Sequence, residues 1–208
     1  LEIQDPPAQP GHRASRVHNG VGLLLGAAAS VSAIGLPSKF PRIPHLPTSA
    51  VIDDDRTLKS TEIAELCESS LVVVQEKLDV ANVGVMCDDN GRIICFKRAG
   101  VIGLRRERPQ YGFFRSWVAE RADAFRFCLG TRWVAYGELL WQRHAVGYTK
   151  LPDWTLFFDL FDRESGVFVC ACDVAERLGS DFAVVPSVYF GRLPKGKRDT
   201  ANSIPFEF

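Results

Sequence analysis

Val74-Gln75-Glu76-Lys77-Leu78-Asp79-Val80-Ala81-Asn82-Val83-Gly84 is charged in the middle and flanked by apolar runs. Residues 70–74 before it and 82–86 after it are rich in β-branched side chains and read as strands. Residues 92–96 alternate in polarity after the turn signal Asp88-Asp89-Asn90-Gly91, which predicts a hairpin with the second of those strands. Further on, Phe114, Trp117, Val118, Arg121 and Phe125 recur at helical spacing and predict one helix over residues 110–128. Strands are expected over 133–140 and 154–161, then the polar turn Arg163-Glu164-Ser165-Gly166 and a strand over 167–172. A helical turn or two over 173–178 and a last strand over 182–190, interrupted by Pro186, follow. Upstream, Asp53-Asp54-Asp55 reads as a solvated acidic turn or cap and residues 61–65 as the start of a short helix. This order of elements is α+β, mainly antiparallel sheets with inserted helices.

At 208 residues and 46% hydrophobic content the chain can bury one substantial core, and nothing in it requires two. Lys plus Arg and Asp plus Glu each number 25, so the molecule as a whole lacks the basic footprint of generic nucleic-acid binding. The cysteines include no C-x-x-C pair and none stands near a histidine at zinc-ligand spacing, so no metal site is read from them. Reduced, mostly buried thiols are expected, with Cys170 and Cys172 on one face of a strand.

Residues 1–38 form an N-terminal arm of different character, ahead of a core expected over 39–193 and an irregular tail over 194–208. No acidic residue occurs between Pro6 and Ile52, whereas Arg13, Arg16, Lys39 and Arg42 stand among Ala, Ser, Gly and Pro. That is the composition of an organellar, here mitochondrial, targeting segment. The uncharged run from Val21 to Leu36 is shorter than the about 20 residues a spanning helix needs, so membrane contact is the lesser expectation beside a leader. An arm this rich in Gly and Ala cannot offset its own conformational entropy, so other protein subunits are expected to hold it if it is ordered.

The segment around Lys77 resembles the nucleophile motif of ATP-dependent RNA ligases, in which a strand ends in E-K-x-D-G followed by a polar segment with Asn. Three further segments in the right order make the resemblance specific. Phe40-Pro41-Arg42-Ile43-Pro44-His45-Leu46-Pro47 is similar to a Pro-rich opening segment of one bacterial and phage group of these ligases. Trp133-Val134-Ala135-Tyr136-Gly137-Glu138 resembles the strand ending in Y-G-E, with residues 144–152 (HAVGYTKLP) as its sequel. Phe158-Asp159-Leu160-Phe161-Asp162-Arg163-Glu164-Ser165-Gly166 looks like the F-D-x-x-D-R-E-T-G strand and turn.

The resemblance implies a nucleotidyltransferase core that uses ATP and Mg²⁺ and acts on RNA ends. An uncharged lysine attacks the α-phosphate, giving a lysyl-AMP that is passed to an RNA 5′-phosphate. By position Lys77 would be the nucleophile, with Asp79 in its motif. Glu138 would hold the ribose hydroxyls or a metal-bound water, and Phe158 would stack on adenine. Arg98 would approach the ribose or an RNA phosphate, and Glu76 and Asn82 would line the nucleotide site. Plainer alternatives stand beside these: a surface lysine, a solvated carboxylate and a core phenylalanine.

Two departures shape the functional expectation. Val80 stands where the family has glycine, which narrows the pocket or refolds the loop. The two later family motifs, one acidic and one with paired lysines, find no match, and Lys195-Gly196-Lys197 is a weak substitute, so the core reads as shortened at its C-terminus. The sequence is therefore expected to be a non-catalytic, RNA-ligase-like accessory subunit of a mitochondrial assembly, without cofactor, whose partners cover the core's exposed edges. The alternative is an active ATP-dependent RNA ligase, and only in that case is RNA a partner.

Overall fold

The structure is a computed structural model and describes residues 40–47, 56–68, 71–104, 107–142, 148 and 150–192. The arm, the acidic turn at 53–55 and Lys195 and Lys197 lie outside the described residues. In chain order the elements are α1 (Ser60–Glu68), β1 (Val72–Gln75), β2 (Ala81–Cys87), β3 (Ile93–Lys97), β4 (Gly100–Val101), α2 (Pro109–Glu120) and α3 (Ala122–Leu129). There follow β5 (Trp133–Leu139), β6 (Thr155–Asp162), β7 (Val167–Phe168), α4 (Ala171–Leu178), a 3₁₀ turn (Gly179–Asp181) and β8 (Ser187–Gly191).

Six strands form one sheet in the order β4-β3-β2-β5-β6-β7, every pair antiparallel, while β1 pairs antiparallel with β8 in a separate two-stranded sheet. Side chains alternate across the large sheet. Val83, Val85, Ala135, Leu139, Phe157 and Leu160 point to one face, where Phe114, Trp117, Phe125, Leu129, Val174 and Leu178 of α2, α3 and α4 bury them. Met86, Phe96, Val134, Tyr136 and Phe161 point to the other, where Phe40 packs against them.

The predicted hairpin is present: Asp88 accepts from the Asn90 and Arg92 N–H groups, and Gly91 takes the positive φ of 72° that closes the turn. The predicted single helix is two. The chain leaves helical geometry at Arg121 (φ −111°, ψ 19°), whose guanidinium lies 4.5 Å over the Trp117 ring and donates to the Trp117 carbonyl at 3.2 Å. On either side of the bend, Phe114 and Trp117 of α2 and Phe125 and Leu129 of α3 pack into one core.

The strand expected over 167–172 is also corrected. Only Val167–Phe168 pairs with β6, and α4 begins at Ala171 because Val174 and Leu178, four apart, bury one helix face. Cys170 caps that helix, its sulfur accepting from the Cys172 N–H, and both cysteines are exposed and joined by a disulfide. The expectation of reduced, buried thiols fails for this pair; Cys87 is buried, Cys95 and Cys128 are half-buried, and all three are free.

Pro186 divides the last strand into two jobs. Before it, Phe157 donates to Ala183 O at 2.9 Å and Val185 donates to Phe157 O at 2.8 Å, a parallel bridge on the part of the β6 edge that β7 does not use. After it, β8 pairs with β1, and Glu76 N–H donates to Pro186 O at 3.1 Å. The strand leading to Lys77 is thus anchored to the large sheet through residues 183–186.

Candidate active site

Lys77 lies on the exposed segment that carries the chain from β1 to β2. Two residues later the loop closes onto the large sheet. Val80 N–H donates to Glu138 Oε1 at 3.2 Å, and Leu78 and Val80 pack into an apolar cluster with Leu140, Leu156 and Val185. A valine is accommodated here because its side chain has apolar neighbours, and the loop keeps its attachment to the sheet through the Val80 N–H.

Antiparallel register puts Asn82 directly opposite Glu138, and Glu138 opposite Leu156. The Glu138 carboxyl is pushed up to about 7, first by burial and then by the neighbouring Asp79 carboxylate; the Val80 N–H, the Lys77 ammonium and the Asn82 side chain oppose the rise. Lys77, Asp79, Asn82 and Glu138 therefore share one electrostatic environment although they come from a loop and two strands. Gly137 explains the glycine of Y-G-E: a Cβ there would meet the Leu156 carbonyl at 2.7 Å. β5 and β6 approach closely at that point, beside the bulge between Tyr136 and Gly137.

Phe158 falls in that bulge, half-buried and in contact with both the Leu140–Leu156–Val185 cluster and the open-face cluster. Phe40 stands edge-on to it, ring centres 5.1 Å apart at 85°, and also meets Tyr136 at 5.1 Å and Phe168 at 5.6 Å. The following residues are tied down by backbone bonds from His45 N–H to Arg56 O at 2.7 Å and from Leu58 N–H to His45 O at 2.8 Å. Phe158 is thus on the same face of the sheet as Glu138, with one edge of its surroundings taken by Phe40.

Glu76 is exposed, and its carboxylate and those of Asp79 and Glu138 act on the Tyr148 hydroxyl, which burial chiefly holds above its ordinary range. Tyr148 is a site residue that sequence reasoning missed; it lay in the quoted sequel to Y-G-E without a role. Arg98 is exposed in the β3–β4 turn, one residue past the Val83–Lys97 pair, so register places that turn at the Asn82 end of β2. Among the described residues no hydrogen bond or ion pair joins Arg98 to Lys77 or Glu138.

Asp159 and Asp162 have different fates. Asp159 is buried and its carboxyl is pushed up to about 7 by desolvation. Asp162 is held well below the usual carboxylate range by Arg132, which grips it at 2.8 and 2.6 Å, with Ser165 and the Glu164 N–H adding to the hold. The D-R-E-S-G half of that motif is a clamp on the β6–β7 turn, remote in role from Lys77.

The donor set near Lys77 fits a magnesium ion of the kind bound by one or two carboxylates together with substrate phosphates. Asp79 and Glu138 would supply those carboxylates. Among the described residues the one trio of potential ligand atoms within 4.8 Å of one another is Cys170, Cys172 and Asp173, at the start of α4.

The profile of the RNA ligase family matches residues 70–204. No curated protein matches the chain. Among solved structures, a variant of the Naegleria gruberi RNA ligase with ATP and Mn is similar at 16% identity and a TM-score of 0.49, over 64% of this chain and 41% of that one. The same ligase with PPi is similar at 16% identity and a TM-score of 0.49, over 78% and 50%. An archaeal ATP-dependent RNA ligase is similar at 18% identity and a TM-score of 0.48, over 63% and 34%. The chain thus spans half or less of the length of these solved proteins. With the family profile covering well over half of its residues, the chain belongs to the RNA ligase family. Its fold is the mixed α+β arrangement of antiparallel sheets with inserted helices expected from the sequence.

Proposed function

We propose that the chain carries the adenylyl-transfer centre of an ATP-dependent RNA ligase and takes up AMP covalently on Lys77. The observation that carries this reading is the convergence of Lys77, Asp79 and Asn82 on the partly buried Glu138, held by the bond from Val80 N–H. In the reaction, Lys77 Nζ bonds to the α-phosphorus of ATP, the bond from that phosphorus to the oxygen bridging to the β-phosphate breaks, pyrophosphate departs, and Nζ gives up a proton. Glu138, close to half-protonated near neutral pH, is suited to hold ribose hydroxyls, as donor in one form and acceptor in the other. Phe158 offers a half-buried ring to the base. Magnesium would neutralise phosphate charge beside Asp79 and Glu138.

The test is incubation with α-labelled ATP and Mg²⁺. A stoichiometric AMP adduct is expected in the wild type and none in Lys77→Ala; an unlabelled wild type sinks the reading.

A second reading, the catalytically silent accessory subunit of a mitochondrial assembly, is favoured by specific packing. Val80 fills space where the family has glycine, and Phe40 stands against the ring proposed to receive adenine. In that case no adduct forms, and the protein co-purifies from mitochondria with other subunits, through the acid-free arm and the exposed apolar residues Leu71, Val188 and Phe190 near and within the small sheet. Membrane contact by residues 21–36 belongs with this reading. No helix among the described residues is long and apolar enough to cross a membrane.

A further inference from the structure

Thiol chemistry is distributed unevenly over this molecule. Cys95 is pushed up to about 12 and Cys128 to about 11, both first by burial, and Cys87 is raised for the same reason. Buried thiols of this kind are poor nucleophiles. Cys170 and Cys172 are the opposite case, both exposed on the face of α4 turned away from Val174 and Leu178. Their Cα atoms are 5.2 Å apart, within the range a disulfide spans, and the structure joins them.

The surroundings of the two sulfurs differ. Cys170 is the N-cap of α4, and the Cys172 N–H points at its sulfur from 3.4 Å. Unsatisfied N–H groups at a helix start favour negative charge, so a thiolate is stabilised at Cys170. Cys172 Sγ lies 3.4 Å from Asp173 Oδ1, so that once the disulfide is reduced this carboxylate disfavours a thiolate at Cys172.

We propose that Cys170 and Cys172 form a reversible dithiol–disulfide site, separate from the Lys77 centre, with Cys170 as attacking thiolate and Cys172 as resolving thiol. The co-reactant is a low-molecular-weight disulfide of the glutathione class. The Cys170 thiolate attacks one of its sulfurs, forming a mixed disulfide and releasing one small thiolate. Cys172 then loses its proton and attacks the Cys170 sulfur, closing the protein disulfide and releasing the second small thiolate. Two protein thiols are oxidised, one small disulfide is reduced to two thiols, and the two protons pass to the departing thiolates.

The experiment uses the full chain, reduced and then exposed to oxidised glutathione at neutral pH, with adducts located by peptide mapping at residues 170 and 172. Wild type is expected to close the internal disulfide with no glutathione retained at either position. Cys172→Ser should trap one glutathione on Cys170, and Cys170→Ser should be modified at Cys172 about tenfold more slowly or worse. Stable glutathione on both cysteines of the wild type, or reaction at neither, overturns the proposal. Equal rates for the two variants overturn the assignment of roles. Neither variant alters the apolar face of α4, and AMP uptake at Lys77 can be read in the same samples, so failure of the Lys77 reading is distinguishable from failure here.

Discussion

At Glu138, one carboxyl joins the loop that bears Lys77 to the sheet that bears the rest of the site. Its tie to Val80 N–H means that a change at this residue moves the loop as well as the charge. Glu138→Gln keeps the size and loses the ionisable group. If Lys77 takes up AMP, this variant should do so about a hundredfold more slowly, the usual loss for a well-placed polar contact. A limb of the wild-type pH profile near 7, where Glu138 changes charge, should be absent from the variant; rates of label uptake at a series of pH values check this. Lys77 and Asp79 in the nucleophile motif and Glu138 in the Y-G-E strand were legible as linear patterns, because each motif keeps its spacing along the chain. Tyr148 and Phe40 were not, since each owes its place to packing across the sheet rather than to any periodicity of its own.

Among the elements, β5 and β6 are the pair on which the site depends, through a bulge and a glycine. Gly137→Ala pushes a methyl group toward the Leu156 carbonyl, where the backbone cannot yield. The expected cost is about 2 kcal/mol of stability, read from urea unfolding, together with a loss of AMP uptake as Glu138 is displaced. The other end of β6 is held by Asp162, whose carboxylate accepts from Arg132, Ser165 and the Glu164 N–H. Asp162→Ala is expected to cost about 2–3 kcal/mol, since charged hydrogen bonds are lost and the turn's donors are left to solvent. AMP uptake at saturating ATP should survive that change, which separates the clamp from the chemistry. Helix α2–α3 shows the limit of periodicity. The spacing of Phe114, Trp117 and Phe125 names the buried face correctly, yet it does not reveal the break at Arg121, where the guanidinium lies over Trp117 and donates to its carbonyl.

For the whole molecule, buried carboxyls make stability depend on pH in a definite direction. Asp159 and Glu138 have ordinary values of 3.8 and 4.5 and folded values of about 7, so between these limits the folded chain binds more protons than the unfolded one. Stability should therefore fall as pH rises from about 4 to about 7 and level off above. Asp162 acts in the opposite sense: its stabilisation is complete above its ordinary value of 3.8 and is lost as pH falls below that value. Urea midpoints at a series of pH values should trace the decline, and Asp159→Asn should flatten it. What the sequence by itself determined was the place of β1, β2, β3, β5 and β6, the hairpin, the aromatic core face and the order of the ligase-like segments, all of which are local patterns of polarity, turn chemistry and spacing. Only the tertiary structure decided that β1 stands in a separate sheet, tied back through residues 183–186, and that Val80 is taken up by apolar neighbours. It also decided that Phe40 covers the open face and that Cys170 and Cys172 are exposed at a helix start. These depend on which surfaces meet when distant segments pack, and side-chain burial, strand partners and local charge are properties of that meeting rather than of any one segment.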